Sequence, residues 1–499
     1  MKNIHSLLTF SGATFSLLAM QAQERPNILI IQCDQMAQWV VGAYGQTKSI
    51  TPVIDSIASQ GVRFSRAYIG CPLSQPSRCA LWSGMMPHQT NVRSNSAEPL
   101  NKRISDKIPT LGSLFSENGY LAVHFGKCHD MGSLRGFIHK EPVGKPFTDS
   151  QFPVNSDSFK DVGTCQDAVN FLNNPPRQPF ICIADFQNPH NICGFVGCYP
   201  GVHSNPPFDG ELPPLPSNFE VRNWQSLPIP IQYICCTHRR LTQASHWSPD
   251  NYRYYLAAYQ HYTKMVCKQI EQVINALKST SAAKNTIIII MADHGDGIAA
   301  HRMVTKQVSF YDEVTNVPFI ISGPGVIARR NAIEELVQPT TDLLPTLCEL
   351  AGISVPKGKL GISLCPLLKG NKLPVSHRYV TSEWHTEYDY AISPGRMIRT
   401  NRYKYTSYLE GKGEELYDMK KDPKEQTNLA KNPKYKKIVK EHRALLNDYV
   451  QKTKDDFFTL KVQVDKEFRT HKLGYPHHEG TSLFEKYRQF GKDGRNGSK

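Results

Sequence analysis

No apolar run in the 499 residues reaches the roughly 18–20 that a membrane-spanning helix needs. No pair among the thirteen cysteines has CxxC spacing, and they are too scattered for a small disulfide framework. Internal repeats are lacking, which excludes a solenoid or a propeller array. Low hydrophobicity, the mark of a disordered chain, is lacking too: 40% of residues are hydrophobic and 20% charged. The length is ample for one large domain with a smaller companion.

What is present starts with charge. Lys and Arg number 58 against 44 Asp and Glu, a formal charge of +14. Such a surplus suits a polyanionic partner: nucleic acid, an acidic membrane surface or another acidic polymer. The N-terminus narrows the choice. Residues 1–22 read as a signal peptide, with Lys2 before the short apolar stretch Leu7–Met20 and small residues Ala19 and Ala22 for cleavage. No cysteine follows that stretch, which argues against a bacterial lipid anchor. An exported, periplasmic or secreted protein is expected, and export makes nucleic acid a poor partner. Cys193, Cys198, Cys235 and Cys236 share one loop-like region, where export permits a disulfide. Cys33, Cys182 and Cys348 sit in apolar runs and read as small buried hydrophobes.

Along the chain, strands and helices alternate. Asn27–Cys33, Tyr120–Phe125, Phe180–Phe186, Thr286–Ala292 and Val317–Ser322 are short apolar runs of the kind buried on both faces of a sheet, and Val62–Ile69 is β-like. Thr51–Gln60, Ile108–Asn118 and Asn251–Ser279 have helical spacing. The fold class is therefore α/β, a mainly parallel sheet with helices on both faces. Sites in such sheets lie beyond the C-terminal strand ends. After about Lys372 the pattern changes to short antiparallel strands (379–384, 395–400, 403–408, 415–418) and one amphipathic helix, Lys434–Lys452. The expected division is a catalytic domain over 23–372, with a Pro-rich excursion at 191–249, and a smaller α+β unit over 373–499. Residues 491–499 read as a frayed tail.

Three segments carry candidate chemistry. Asp34-Gln35 directly follow the first strand, and Asp293-His294-Gly295-Asp296 directly follow the strongest one. Each alone suits a turn or a helix cap. Together they bring two carboxylates, each with a polar neighbour, to one cation. Oxygen-rich ligation favours Ca²⁺ or Mg²⁺, with a zinc site as the rival. Ser74-Gln75-Pro76-Ser77-Arg78 opens a helix, where free backbone N–H groups favour an anion or a reactive group. Ser74 is thus a candidate nucleophile and Arg78 a candidate holder of charge, against the alternative of an ordinary capped helix.

Ser74–Arg78 also resembles the S-x-P-S-R core of the formylglycine-dependent sulfatases, in their serine form. Further blocks resemble that family in order. Asn27–Gln35 is similar to N-I-L-x-I-x-x-D-Q, and Leu81–Asn95 to L-x-T-G-x-x-P-H-x-x-G-V with Asn91 for Gly. Gly126–His129 is similar to G-K-W-H with Cys128 for Trp, and Asn188–His190 to the family's P-H element. Asp293–Lys306, Val317–Gly325 and Glu415–Leu429 resemble the D-H-G, V-P-x-I and E-L-Y-D blocks. The resemblance runs from about Asn27 to Leu429.

The resemblance implies an alkaline-phosphatase-like fold and hydrolysis of sulfate esters. It implies that a maturase oxidises Ser74 to formylglycine (3-oxoalanine), whose hydrated gem-diol attacks sulfur; the second hydroxyl then allows sulfate to leave by elimination. Asp34, Gln35, Asp293 and His294 would hold Ca²⁺ together with residue 74. Arg78 would orient that residue, and Lys127 and Lys306 would grip sulfate oxygens. His129 would take a proton from the formylglycine hydroxyl, and His190 and His301 are candidates for protonating the leaving alcohol. Cys267 stands where the family helix has Asp, and reads as structural. The serine at 74 matters more, since it requires a maturase able to oxidise Ser.

The implied substrate is a sulfated carbohydrate, a glycosaminoglycan or mucin fragment cut from its end. Trp384, His385, Arg396 and Arg399 are candidate sugar-binding groups, as are Trp224, Arg239, Arg240 and Trp247, because aromatic faces stack on sugars and Arg forks bind sulfate or carboxylate. Two other readings stay open: a phosphodiesterase or phosphonate hydrolase of the same superfold, and a non-catalytic binder of sulfated glycans. Of the +14 charge, +8 falls within residues 401–499, where 23 Lys and Arg face 15 Asp and Glu. The basic excess thus belongs largely to the C-terminal region.

Overall fold

The computed structural model describes residues 25–45, 49–95, 103–142, 160–198, 211–220, 227–228, 230–231, 244, 247–306, 309–385, 394–409 and 413–460. The expected signal peptide, Cys235, Cys236, Trp224, Arg239, Arg240, most of the 191–249 excursion and the tail lie outside them. Asn27–Cys33 forms strand β1, and its unbroken apolar run has a simple cause: Leu29, Ile31 and Cys33 enter one core while Ile28 and Ile30 enter the other. The remaining strands of its sheet are β2 (Gly61–Arg63), β3 (Leu121–Gly126), β4 (Ile138–Lys140), β5 (Phe180–Phe186), β6 (Thr286–Ala292) and β7 (Phe319–Ser322). Their order is β2-β7-β6-β1-β5-β3-β4. From β6 to β4 the pairing is parallel, whereas β7 runs antiparallel to both β6 and β2.

Helices Pro52–Ser59, Lys160–Asn173 and Pro249–Lys278 cover one face; Ser74–Ser83, Leu111–Glu117 and Pro339–Ala351 cover the other. Two features depart from the sequence pattern. The expected strand Val62–Ile69 shrinks to three residues, because Phe64 and Ala67 leave the sheet to bridge Ile333 and Val337. Pro339–Ala351 is helical despite Pro345, a residue that normally ends a helix. Cys33, Cys182 and Cys348 are buried and free, as their apolar surroundings suggest, and so is Cys193.

A second, antiparallel sheet of order β11-β10-β9-β8 is built from β8 (Val380–Trp384), β9 (Gly395–Arg399), β10 (Tyr403–Tyr408) and β11 (Glu414–Asp418). Helix Lys436–Thr453 packs Val439, Leu445, Leu446 and Tyr449 against Ile398, Tyr405 and Leu416 of this sheet. Buried charge ties the two sheets together. Lys404 Nζ meets Asp312 Oδ1 at 2.7 Å and Glu425 Oε1 at 2.6 Å. Glu383 accepts from the His88 backbone at 3.0 Å and from Tyr449 Oη at 2.6 Å, and pairs with His88 Nδ1 at 2.6 Å.

Burial alone would raise the Glu383 carboxyl, but His88 and Arg396 outweigh it and hold its pKa below the ordinary range. A carboxyl with a depressed folded-state pKa stabilises the fold above its unfolded value, about 4.3, and loses that contribution as pH falls through the folded value. The melting temperature of the natural chain is therefore expected to fall more steeply below about pH 4 than that of Glu383→Gln, which lacks the titrating group. Parallel slopes in thermal melts across that range would contradict the clamp.

Candidate active site

Three strands of the parallel sheet end on carboxylates. Cys33 lies opposite both Ala292 and Phe186, so Asp34 and Asp293 emerge side by side from β1 and β6, and Asp185 closes the group from β5. All three are fully buried. Between them lies the Arg78 guanidinium, also fully buried. Its Nε donates to Asp293 Oδ2 at 2.9 Å, Nη1 to Asp185 Oδ2 at 2.5 Å, and Nη2 to Asp34 Oδ2 at 3.4 Å. Nη1 also reaches the Lys127 carbonyl at 3.2 Å. Burial would lower the arginine pKa, but the three carboxylates raise it, so Arg78 is permanently charged. The sequence reading had Arg78 orient residue 74; its donors instead go to the carboxylates.

Ser74 opens helix Ser74–Ser83 and is fully buried. Its Oγ lies 2.9 Å from His294 Nε2, 3.0 Å from Lys306 Nζ and 3.4 Å from Asp34 Oδ1. His294 Nδ1 faces the Gly295 carbonyl at 2.8 Å, which fixes the proton there and leaves the Nε2 lone pair toward Ser74. Burial pushes the His294 pKa down to about 4, so the ring is neutral at neutral pH. Asp34 is held well below the usual carboxylate range: burial would raise it, but Lys127, His190, Lys306 and Arg78 prevail.

The carboxylate oxygens are sorted. Each Oδ2 of Asp34 and Asp293 is taken by a cation, from Arg78 or Lys127. The Oδ1 atoms face inward, 3.6 and 3.8 Å from His294 Nε2. These three ligand atoms lie within 4.8 Å of one another and are buried. Two carboxylate oxygens, one neutral imidazole and the Ser74 oxygen form a donor set that fits a hard divalent cation such as Ca²⁺. Gln35 follows the pair with φ +68°; its amide donates to Asp296 Oδ2 at 2.7 Å and accepts from Cys193 Sγ at 3.3 Å. A second group, His88, Glu383 and Asp455, is as compact, but Glu383 and Asp455 already serve His88, Tyr449 and Arg396.

Local chemistry explains how the other groups arrive. Gly126 ends β3 with φ +112°, and a Cβ there would come within 2.0 Å of the Asp185 carbonyl. Only glycine lets Lys127 turn so that its N–H bonds that carbonyl at 3.0 Å and its Nζ pairs with Asp34 Oδ2. The loop after β6 carries left-handed residues Ile298, Ala299, His301, Arg302 and Thr305 before delivering Lys306. Asp296 and Tyr255 hold this strained run: Asp296 Oδ1 accepts from Ile298 N at 2.8 Å, and Tyr255 Oη from Thr305 N at 2.8 Å. His129 (φ +41°) has its pKa pushed down to about 3 by burial, Lys127 and Arg78, which keeps it neutral at neutral pH.

Ser74, Asp34, Arg78, Lys127, Asp293, His294 and Lys306 thus meet directly. His301 does not join their hydrogen bonds: it stacks on Tyr311 at 4.0 Å, with Nε2 3.3 Å from Asn218 Nδ2. The sugar-binding candidates turn inward, where their side chains serve the protein and not a sugar. Trp384, His385, Arg396 and Arg399 are all buried. Arg396 uses all five donors internally, on Asp455 (2.7 and 2.8 Å), the Trp384 and Gly395 carbonyls, and His385 Nε2 at 3.0 Å. Arg399 bonds Tyr68 Oη at 3.0 Å and the Thr400 carbonyl. Trp247 packs on Tyr252 and Tyr255 in the core. An arginine beside a buried carboxylate is drawn in, and no sequence pattern reveals that partner. Asp185 was not singled out by sequence; an acidic residue near the end of the apolar run FICIADF was the available signal.

A buried hydroxyl at a helix start, beside Lys306 and a three-atom cation cradle at the C-terminal ends of a mainly parallel sheet, suits a hydrolase of anionic esters with the alkaline-phosphatase-like fold. The family model described as Sulfatase matches residues 26–353, and one described as N-sulphoglucosamine sulphohydrolase, C-terminal, matches residues 300–452. The chain belongs to the sulfatase family, enzymes that hydrolyse sulfate esters. It is 67% identical over 463 residues to a Delta 4,5-hexuronate-2-O-sulfatase of Bacteroides thetaiotaomicron, covering 93% of this chain and 96% of that one. A solved structure described as a 2-O GAG sulfatase is 66% identical, with a TM-score of 0.88 over 93% of this chain and 100% of that one. A phosphonate monoester hydrolase of Agrobacterium radiobacter is similar in fold alone, at 20% identity and a TM-score of 0.70 over 87% of this chain and 97% of that one. No helix among the described residues is long and apolar enough to cross a membrane.

Proposed function

We propose that this chain removes the 2-O-sulfate from a hexuronate at the end of a glycosaminoglycan fragment, using formylglycine made from Ser74 beside a bound Ca²⁺. One observation carries the chemistry: Ser74 Oγ is the shared point of His294 Nε2, Lys306 Nζ and Asp34 Oδ1 in a buried pocket. The substrate rests on the 67% identity to the hexuronate-2-O-sulfatase over nearly the whole of both chains.

Asp34, Asp293 and His294 hold the cation, with Gln35 beside them; when bound, Ca²⁺ offsets the charge that builds on the sulfate oxygens. Formylglycine supplies, as its hydrate, a nucleophilic oxygen and a second hydroxyl through which sulfate is released. Lys306 and Lys127 grip sulfate oxygens as point charges. His129, neutral, accepts a proton from the residue-74 hydroxyl. His190 donates one to the leaving alcohol, whereas His301 is occupied by Asn218 and Tyr311.

The same reading includes an exported, periplasmic protein, a serine-oxidising maturase as partner, and a division into a catalytic unit to about residue 372 and a smaller C-terminal one. Mass spectrometry of the peptide holding residue 74, in protein from a host with such a maturase, is expected to show the loss of two hydrogens. Unmodified serine together with full sulfatase turnover would overturn the mechanism. Removing calcium with a chelator is expected to abolish hydrolysis of a 2-O-sulfated disaccharide and to lower the melting temperature, both restored by Ca²⁺. Full turnover after exhaustive chelation would rule out the cation.

A further inference from the structure

Three fully buried polar side chains lie under the site on adjacent strands: Gln32 on β1, Asp185 on β5 and His124 on β3. Register explains the grouping. Gln32 is the cross-strand partner of Asp185, and His124 sits two residues before Gly126, which also pairs with Asp185. Gln32 Nε2 and His124 Nε2 each lie 3.3 Å from Asp185 Oδ2, the same oxygen that takes Arg78 Nη1 at 2.5 Å. Polar groups inside an apolar sheet carry a desolvation cost. Here they are not even fully satisfied: Gln32 Oε1, His124 Nδ1 and Asp185 Oδ1 have no hydrogen-bond partner among the described residues. Packing does not explain them, since apolar side chains of similar size would fill the same space without that cost. Their shared effect is to aim one carboxylate oxygen at the guanidinium.

We propose that Asp185, steered by Gln32 and His124, is a positioning residue for the cation site. By taking one arm of Arg78 it holds the other two on Asp34 Oδ2 and Asp293 Oδ2, which keeps the guanidinium off both Oδ1 atoms; these face His294, and that of Asp293 also accepts the Gln35 and His294 backbone N–H groups at 3.0 and 2.9 Å. Without the Asp185 charge, Arg78 settles more fully on Asp34 and Asp293 and competes with the cation. The inference rests on the calcium reading above and goes beyond the residues that reading uses.

The test is calorimetric titration of calcium chloride into chelator-stripped natural protein and into Asp185→Asn, which keeps shape and loses charge. The calcium Kd of Asp185→Asn is expected to rise ten- to a hundredfold, the size of effect typical for groups that orient metal ligands. At saturating calcium, KM for the 2-O-sulfated disaccharide is expected to stay unchanged. Gln32→Leu and His124→Gln are expected to shift the calcium Kd in the same direction by less, and they decide the matter if Asp185→Asn does not fold. An unchanged calcium Kd in every folded variant, whatever their melting temperatures, overturns the proposal. Failure of the natural protein itself to bind calcium would instead overturn the calcium reading.

Discussion

Ser74→Ala is expected to reduce turnover of a 2-O-sulfated substrate to background, a loss of roughly a million-fold, as when a covalent nucleophile is removed. The fold is expected to survive. Ser74 contributes one hydroxyl to a site whose scaffold is Arg78 and three carboxylates, and losing a buried hydroxyl of this kind costs about 1–2 kcal/mol. On the proposed mechanism the variant offers no side-chain hydroxyl to oxidise, so the expected defect is chemical and not conformational. A variant retaining even a hundredth of natural turnover, measured on protein of verified mass, would show that another group attacks sulfur.

Arg78 is expected to behave in the opposite way, with stability failing before chemistry can be measured. Arg78→Ala leaves Asp185 and Asp293 as buried carboxylates without their shared counter-charge, and leaves Asp34 to Lys127. Removing one partner of a single buried ion pair costs about 3–5 kcal/mol. Two stranded carboxylates approach the whole margin of a typical fold, about 5–15 kcal/mol. Insoluble or unfolded protein is the expected result. Arg78→Lys keeps the charge but not the planar fork that serves three partners at once. It is expected to fold, to melt lower, and to regain part of the loss when Ca²⁺ is added. An Arg78→Ala protein that melts like the natural chain would refute this account of the carboxylate cluster.

These two outcomes separate what one short motif combines. Ser74 and Arg78 stand four residues apart on the same helix, and both were legible as the S-x-P-S-R core. Their division of labour was not legible. The family resemblance suggested that Arg78 serves residue 74, whereas its four hydrogen bonds go to carboxylates from three different strands and a backbone carbonyl. The C-terminal strands show the same limit. β10 was placed to the residue and β8, β9 and β11 to within one, because alternation of apolar side chains is a local property. Arg396 and Arg399 on the same strands were read as sugar-binding groups, because a charged residue alone does not announce a buried partner. Asp455, the partner of Arg396, lies 59 residues further along the chain.

The sequence by itself determined the α/β class, the central strands, and the ordered motifs that mark a sulfatase, since each depends on residues near one another in the chain. It also located the basic surplus in the last fifth of the chain. Only the tertiary structure decided which polar groups meet. The pairing of Gln32 with Asp185 is set by strand register, the inward turn of Arg396 by Asp455 and His385, and the sorting of Asp34 and Asp293 oxygens by one buried guanidinium. Local propensity acts over a few residues. Buried charge acts through the partners that long-range packing brings within about 3 Å, and those partners lie far apart in the chain, 215 residues between Arg78 and Asp293 and 295 between His88 and Glu383.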